Sequence, residues 1–152
     1  MHLRAPRDRA DRRRPPITLA TLALAVVAAA PASAAFFAGD GGDDQWRGTR
    51  GADTAYGLGG NDRLVGRNGG DHLHGGANRD TLRGGVGHDH IRGSAGNDDV
   101  DGGGGGDHVR GHAGDDVIRG GSGKDLLRGG PGFDVCYGNR EDISKIGCER
   151  EP

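Results

Sequence analysis

From Gly39 the chain repeats every nine residues, and the phase holds through eleven units to Tyr137 without an insertion. The run opens with GDGGDDQWR, passes through GLGGNDRLV and GGVGHDHIR, and closes with GGPGFDVCY. The first place is glycine in every unit, the sixth is aspartate in every unit, and the fourth is glycine except at Asn78. Nine residues are too few for a helix pair or a sheet layer, so a unit has nothing to pack against except its neighbours in the array. Such a period constrains the chain to a solenoid.

Place eight carries the regular apolar side chain: Trp46, Ala55, Leu64, Leu73, Leu82, Ile91, Val100, Val109, Ile118, Leu127 and Cys136. Mainly polar residues flank it, which reads as a three-residue strand with one inward side chain. Glycine at places one and four is expected to supply positive φ and close backbone approach, with Asn78 the substitute most tolerant of the left-handed region. One inward side chain per nine residues is a poor return for the entropy of ordering so much glycine. Aromatic residues make up only 4% of the chain, so burial must be supplemented.

The units match GGxGxDxUx, and in this the chain resembles the RTX family, also called hemolysin-type calcium-binding repeats. The resemblance covers residues 39–137 and implies an all-β, right-handed parallel β-roll with two units per turn and Ca2+ between stacked loops. It also implies that units two apart share a side. Asp44, Asp62, Asp80, Asp98, Asp116 and Asp134 would then form one column, and Asp53, Asp71, Asp89, Asp107 and Asp125 the other.

Carboxylates stacked about 4.8 Å apart repel by roughly 3 kcal/mol per pair at an effective dielectric near 20. Metal-free, the columns oppose folding. A hard divalent cation reverses the sign, because carboxylate and main-chain carbonyl oxygens are the ligands that calcium prefers. Pairing units two apart permits nine sites at most. Magnesium is disfavoured by its rigid octahedral demand, and zinc by the lack of regular thiolate or imidazole ligands in the loops. The alternative is that each aspartate closes an Asx-turn without metal.

Residues 1–34 differ in kind. Arginines at 4, 7, 9 and 12–14 precede an apolar stretch from Ile17 to Ala30, and Ala32-Ser33-Ala34 ends it, as a signal peptide cleaved after Ala34 would. Pro15-Pro16 after the arginine run favours the general secretory route over the twin-arginine one. Fourteen apolar residues fall short of the ~20 that span a bilayer. Loss of this segment removes six arginines and two aspartates and leaves 14 basic against 20 acidic residues, so the mature chain is acidic and no nucleic-acid partner is expected. The expected organisation is a signal peptide at 1–34, a lead-in at 35–38, the roll at 39–137 and a cap at 138–152, in an extracellular protein with no span in the mature chain.

Three further features lie outside the loops. His72, His90 and His108 recur every eighteen residues and should stack on one outer face, beside His74, Arg92, Arg110 and Arg128. This column reads as an anion-binding stripe for a cell-surface or matrix polymer, as a transition-metal face, or as solvated surface. Cys136 and Cys148 are the only cysteines and are expected to form a disulfide closing a C-terminal cap, with Ile143 and Ile146 covering that end. Trp46 with Phe36 and Phe37 should cover the other.

No catalytic constellation is visible. GGSGKDL at 120–126 resembles a phosphate loop, but Asp125 stands where that motif needs a hydroxyl. The expectation is a non-enzymatic, secreted calcium-binding protein that folds as the ion binds, with a structural or adhesive surface role. The alternatives are a soluble calcium or metal buffer, or an accessory chain to a separate secreted enzyme.

Overall fold

The computed structural model describes residues 33–149. All of the expected export segment but its last two residues lies outside them. The described chain is a parallel β-roll of thirteen strands and about six turns. The strands are β1 (Phe36–Ala38), β2 (Gln45–Arg47), β3 (Thr54–Gly59), β4 (Arg63–Asn68), β5 (His72–Ala77), β6 (Thr81–Val86), β7 (His90–Ala95), β8 (Asp99–Gly104), β9 (His108–Ala113), β10 (Val117–Ser122), β11 (Leu126–Arg128), β12 (Val135–Tyr137) and β13 (Ser144–Ile146).

Odd strands form a seven-stranded sheet in the order β1-β3-β5-β7-β9-β11-β13, and even strands a six-stranded sheet from β12 to β2. Every pairing is parallel with an offset of eighteen residues, as in Leu73↔Ile91 and Leu82↔Val100. Two units therefore make one turn. No helix among the described residues is long and apolar enough to cross a membrane.

The interior strands are twice as long as the expected three residues. They run from place seven through place three of the next unit, because glycine at place one continues the extended ladder inward without a side chain to accommodate. Place six, place eight and the following place one all face the interior, and the place-eight residues line up as one buried column from Trp46 to Cys136. Phe37 stacks on Trp46, with centroids 5.9 Å apart, and closes one end. Phe36 does not take part: it faces outward, 72% exposed, and leans on Tyr56.

The other end also differs from expectation. Ile143 and Ile146 are exposed and cover nothing, whereas the Cys136–Cys148 disulfide is formed and Cys136 is fully buried. The tail is itself a shortened twelfth unit. β13 pairs with β11 in the same eighteen-residue register, Ile143 donates its N–H to the Asp125 carbonyl, and Lys145 stands opposite Leu127 at the inward place. The sheets thus extend past residues 39–137 in both directions, through β1 and β13.

Candidate metal centre

The eleven place-six aspartates, Asp44 to Asp134, are all buried, in the two columns that the resemblance implies. Within each column one carboxylate oxygen, Oδ1, accepts the main-chain N–H of the aspartate one turn earlier. Asp62 donates to Asp80, Asp80 to Asp98 and Asp98 to Asp116 at 2.8–2.9 Å, and the second column repeats this from Asp53 to Asp125. This ladder answers the Asx-turn alternative in part. The aspartates do bond main-chain N–H groups, but across turns and with only half of each carboxylate.

The other half is unanswered. Oδ2 of Asp62, Asp71, Asp80, Asp89, Asp98, Asp107, Asp116, Asp125 and Asp134 is buried with no hydrogen-bond partner. Nine buried anionic oxygens without donors would each be costly, so they call for a cation. In Asp44 and Asp53 the same atom is satisfied, by the N–H of Asp40 at 2.9 Å and of Thr49 at 2.6 Å. Asp142 of the tail is satisfied likewise by Asn139 at 2.7 Å.

Backbone conformation at place two separates the open loops from the closed ones. In all nine open units it has positive φ, at Leu58, Arg67, Gly76, Gly85, Ser94, Gly103, His112, Gly121 and Gly130. In the first two units, where Asp40 and Thr49 hold that place, it does not, and their N–H groups close on the carboxylate. Four non-glycine residues thus hold a left-handed conformation costing about 1–2 kcal/mol each, and they do so where a carboxylate oxygen is left bare. Strain of this kind gathers at functional positions.

The expectation for place one is corrected here. Its glycines do not have positive φ; they are required by space. A Cβ on Gly84 would run into Asp89 Oδ2 and the Gly102 carbonyl, and the pattern recurs along the roll. In the nine open units place four does need the left-handed region, as at Gly87 with φ +142° and Asn78 with φ +76°. Variable residues at place two gave no sign of their conformation; only the shared loop geometry reveals it.

Burial raises the carboxylates' affinity for protons. Asp71, Asp80, Asp107 and Asp116 are pushed up to about 6 and Asp98 to about 7, by desolvation first, against the opposing N–H bond from the preceding turn, with neighbouring aspartates adding to the rise. Asp62 and Asp125 are raised in the same way, and Asp89 by desolvation alone, against the N–H bond from Asp71 and against His88 and His72. Among the described residues no three His, Cys, Asp or Glu side chains converge. A cation here would take much of its coordination from main-chain carbonyls, which suits calcium and not zinc.

The tail shows that the carbonyls can serve. Asn139 Nδ2 donates to both Gly121 O and Gly123 O, at 2.9 and 3.0 Å, so the place-two and place-four carbonyls of one loop converge on a single electropositive atom. An amide closes the final gap of that column. The residues present therefore fit a hard cation in the nine open units.

His72, His90 and His108 form one column, with His72 stacked on His90 at 4.9 Å between centroids and His108 edge-on to His90 at 4.8 Å. Desolvation, then the neighbouring histidines and Arg92 and Arg110, lower the proton affinity of His90; desolvation, then Arg92 and His112, lower that of His74, and desolvation, then Arg110 and Arg92, that of His112.

A model of the RTX calcium-binding nonapeptide repeat matches residues 38–73, 74–109 and 101–136. No curated protein and no solved structure matches the chain.

Proposed function

The chain belongs to the RTX calcium-binding nonapeptide repeat family and binds calcium, and from that premise we propose that it folds on taking up the ion outside the cell. Asp62, Asp71, Asp80, Asp89, Asp98, Asp107, Asp116, Asp125 and Asp134 supply the carboxylate ligands, with loop carbonyls completing each site. Asp44 and Asp53 serve as closed end rungs. The observation that carries this reading is the coincidence of nine donorless Oδ2 atoms with nine left-handed residues at place two.

Bound calcium supplies the positive charge that the buried carboxylates lack. The protein's part is to hold those oxygens in register, exclude water from them and keep competing N–H donors away. The role is structural: a rigid roll, exported by the segment at 1–34, that presents its outer faces to cell wall, matrix or another cell.

The test is far-UV circular dichroism of the chain titrated with calcium from a chelated start, with magnesium as control. A steep gain of β signal with calcium alone supports the reading. A chain already fully folded in chelator would sink metal-coupled folding.

A further inference from the structure

The two outer faces of the roll differ in a way that the calcium sites do not explain. On the six-stranded sheet, two of the arginines have carboxylate partners: Arg83 Nε lies 3.2 Å from Asp101 Oδ2, and Arg119 pairs with Asp99. The carboxylates of β8 thus interrupt that face's run of cations. On the seven-stranded sheet, Arg92, Arg110 and Arg128 follow one another in direct register along β7, β9 and β11, with His74 of β5 completing the row. No outward place of β5, β7, β9 or β11 is a carboxylate, and none of these arginines forms an ion pair among the described residues.

We propose that this face binds a linear acidic polysaccharide, with Arg92, Arg110 and Arg128 as its anion contacts. Three guanidiniums one strand spacing apart, about 4.8 Å, form a straight row of charge running across the strands. Each guanidinium can grip a carboxylate or sulfate with two parallel N–H donors. Between them lies a shallow hollow of about 190 Å³, lined by His90, Arg92, His108 and Arg110, which suits a pendant anionic group. His112 stands opposite Ser94 in the same ladder and adds a polar ring beside the row.

Charge complementarity selects an extended polyanion, because a row of unpaired cations on an otherwise acidic chain repels itself until a partner of opposite sign lies along it. A single-stranded nucleic acid fits less well. Its bases need open rings to stack on, whereas here the His72 and His90 rings already lie against each other, 4.9 Å apart and 8° from parallel.

The inference rests on the surface role proposed above, and its test separates the two. Heparin, as a sulfated polysaccharide probe, is titrated into the calcium-loaded full chain at low salt, with single-stranded DNA as the competing polyanion and β signal recorded in parallel. Arg92→Gln, Arg110→Gln and Arg128→Gln are combined in one variant. Arg47→Gln, Arg63→Gln and Arg79→Gln, which remove the same charge elsewhere, form the control. We expect the first variant to lose roughly tenfold or more in heparin affinity, while the control stays within about twofold and β signal is unchanged in both. Equal losses in the two variants, no heparin binding by a well-folded wild type, or tighter binding of DNA would each overturn the assignment. A chain that gains no β structure with calcium would instead overturn the folding reading, and the face with it.

Discussion

Asp98 Oδ1 accepts the main-chain N–H of Asp80 at 2.8 Å, while its Oδ2 has no donor. One carboxylate is thus split between a structural bond that an amide could also make and an open oxygen that an amide could not replace as an anion. Asp98→Asn keeps the acceptor and removes the buried charge. We expect it to raise the folded fraction in chelator and to move the calcium midpoint several-fold upward. A variant that weakened both states equally would show that the charge has no separate role. Circular dichroism with and without calcium reads both quantities.

Metal-free stability should fall as pH rises. Asp71, Asp80, Asp107 and Asp116 titrate at about 6 and Asp98 at about 7 in the fold, above the ordinary 3.8. The folded chain therefore binds more protons than the unfolded one, and this contribution is complete below about pH 4 and lost through pH 6–7. His74, His90 and His112 act oppositely, since their proton affinity is lowered in the fold, but they are three against eight raised carboxylates. In chelator the folded fraction, read as β signal, should be higher at pH 5 than at pH 8. Calcium should reverse the order, because protons and calcium compete for the same oxygens. A β signal in chelator that rose from pH 5 to pH 8 would contradict the account.

Glycine substitutions should separate space from conformation. Gly84→Ala forces a methyl against Asp89 and the Gly102 carbonyl, and should cost about 1–3 kcal/mol as overpacking does. Leu58→Gly, at φ +78° and on the surface, should leave the melting temperature unchanged or raise it, since it relieves a left-handed leucine. Thermal melts of the calcium-loaded variants distinguish the signs.

Removal of the Cys136–Cys148 bond should loosen one end. The bridge spans twelve positions, and Cys148→Ser should cost up to about 3 kcal/mol through the freed loop. The loss belongs to β12, β13 and the gap closed by Asn139. Hydrogen exchange should therefore rise there first and leave β4 to β8 protected; uniform loss along the roll would show that the cap governs the whole fold.

Much of this architecture was legible in the residues. Unbroken phase restricts the register to multiples of nine, the family resemblance makes it eighteen, and the aspartate and aliphatic places mark what lies inside. The rest was hidden for physical reasons. Place two carries Leu58, Arg67, Ser94 and His112, whose side chains report nothing of a left-handed backbone imposed by the stack. The strands' extension through places one to three has no apolar marker, because glycine occupies the inward position. The twelfth unit departs from the motif, because Asp142 follows Gly138 by four residues where the repeat has five, and because Lys145 stands where every complete unit has an apolar residue.

The alternation of faces also limits how such a gene can lengthen. Duplicating one nonapeptide leaves every buried position equivalent, since aspartate, aliphatic residue and glycine recur in each unit, yet it transfers everything downstream to the opposite sheet. An insertion between β7 and β9 would part His90 from His108 and Arg92 from Arg128. Only duplication by pairs preserves an outer surface while the roll grows. The interior tolerates any whole number of units, and inheritance of a face admits only even ones.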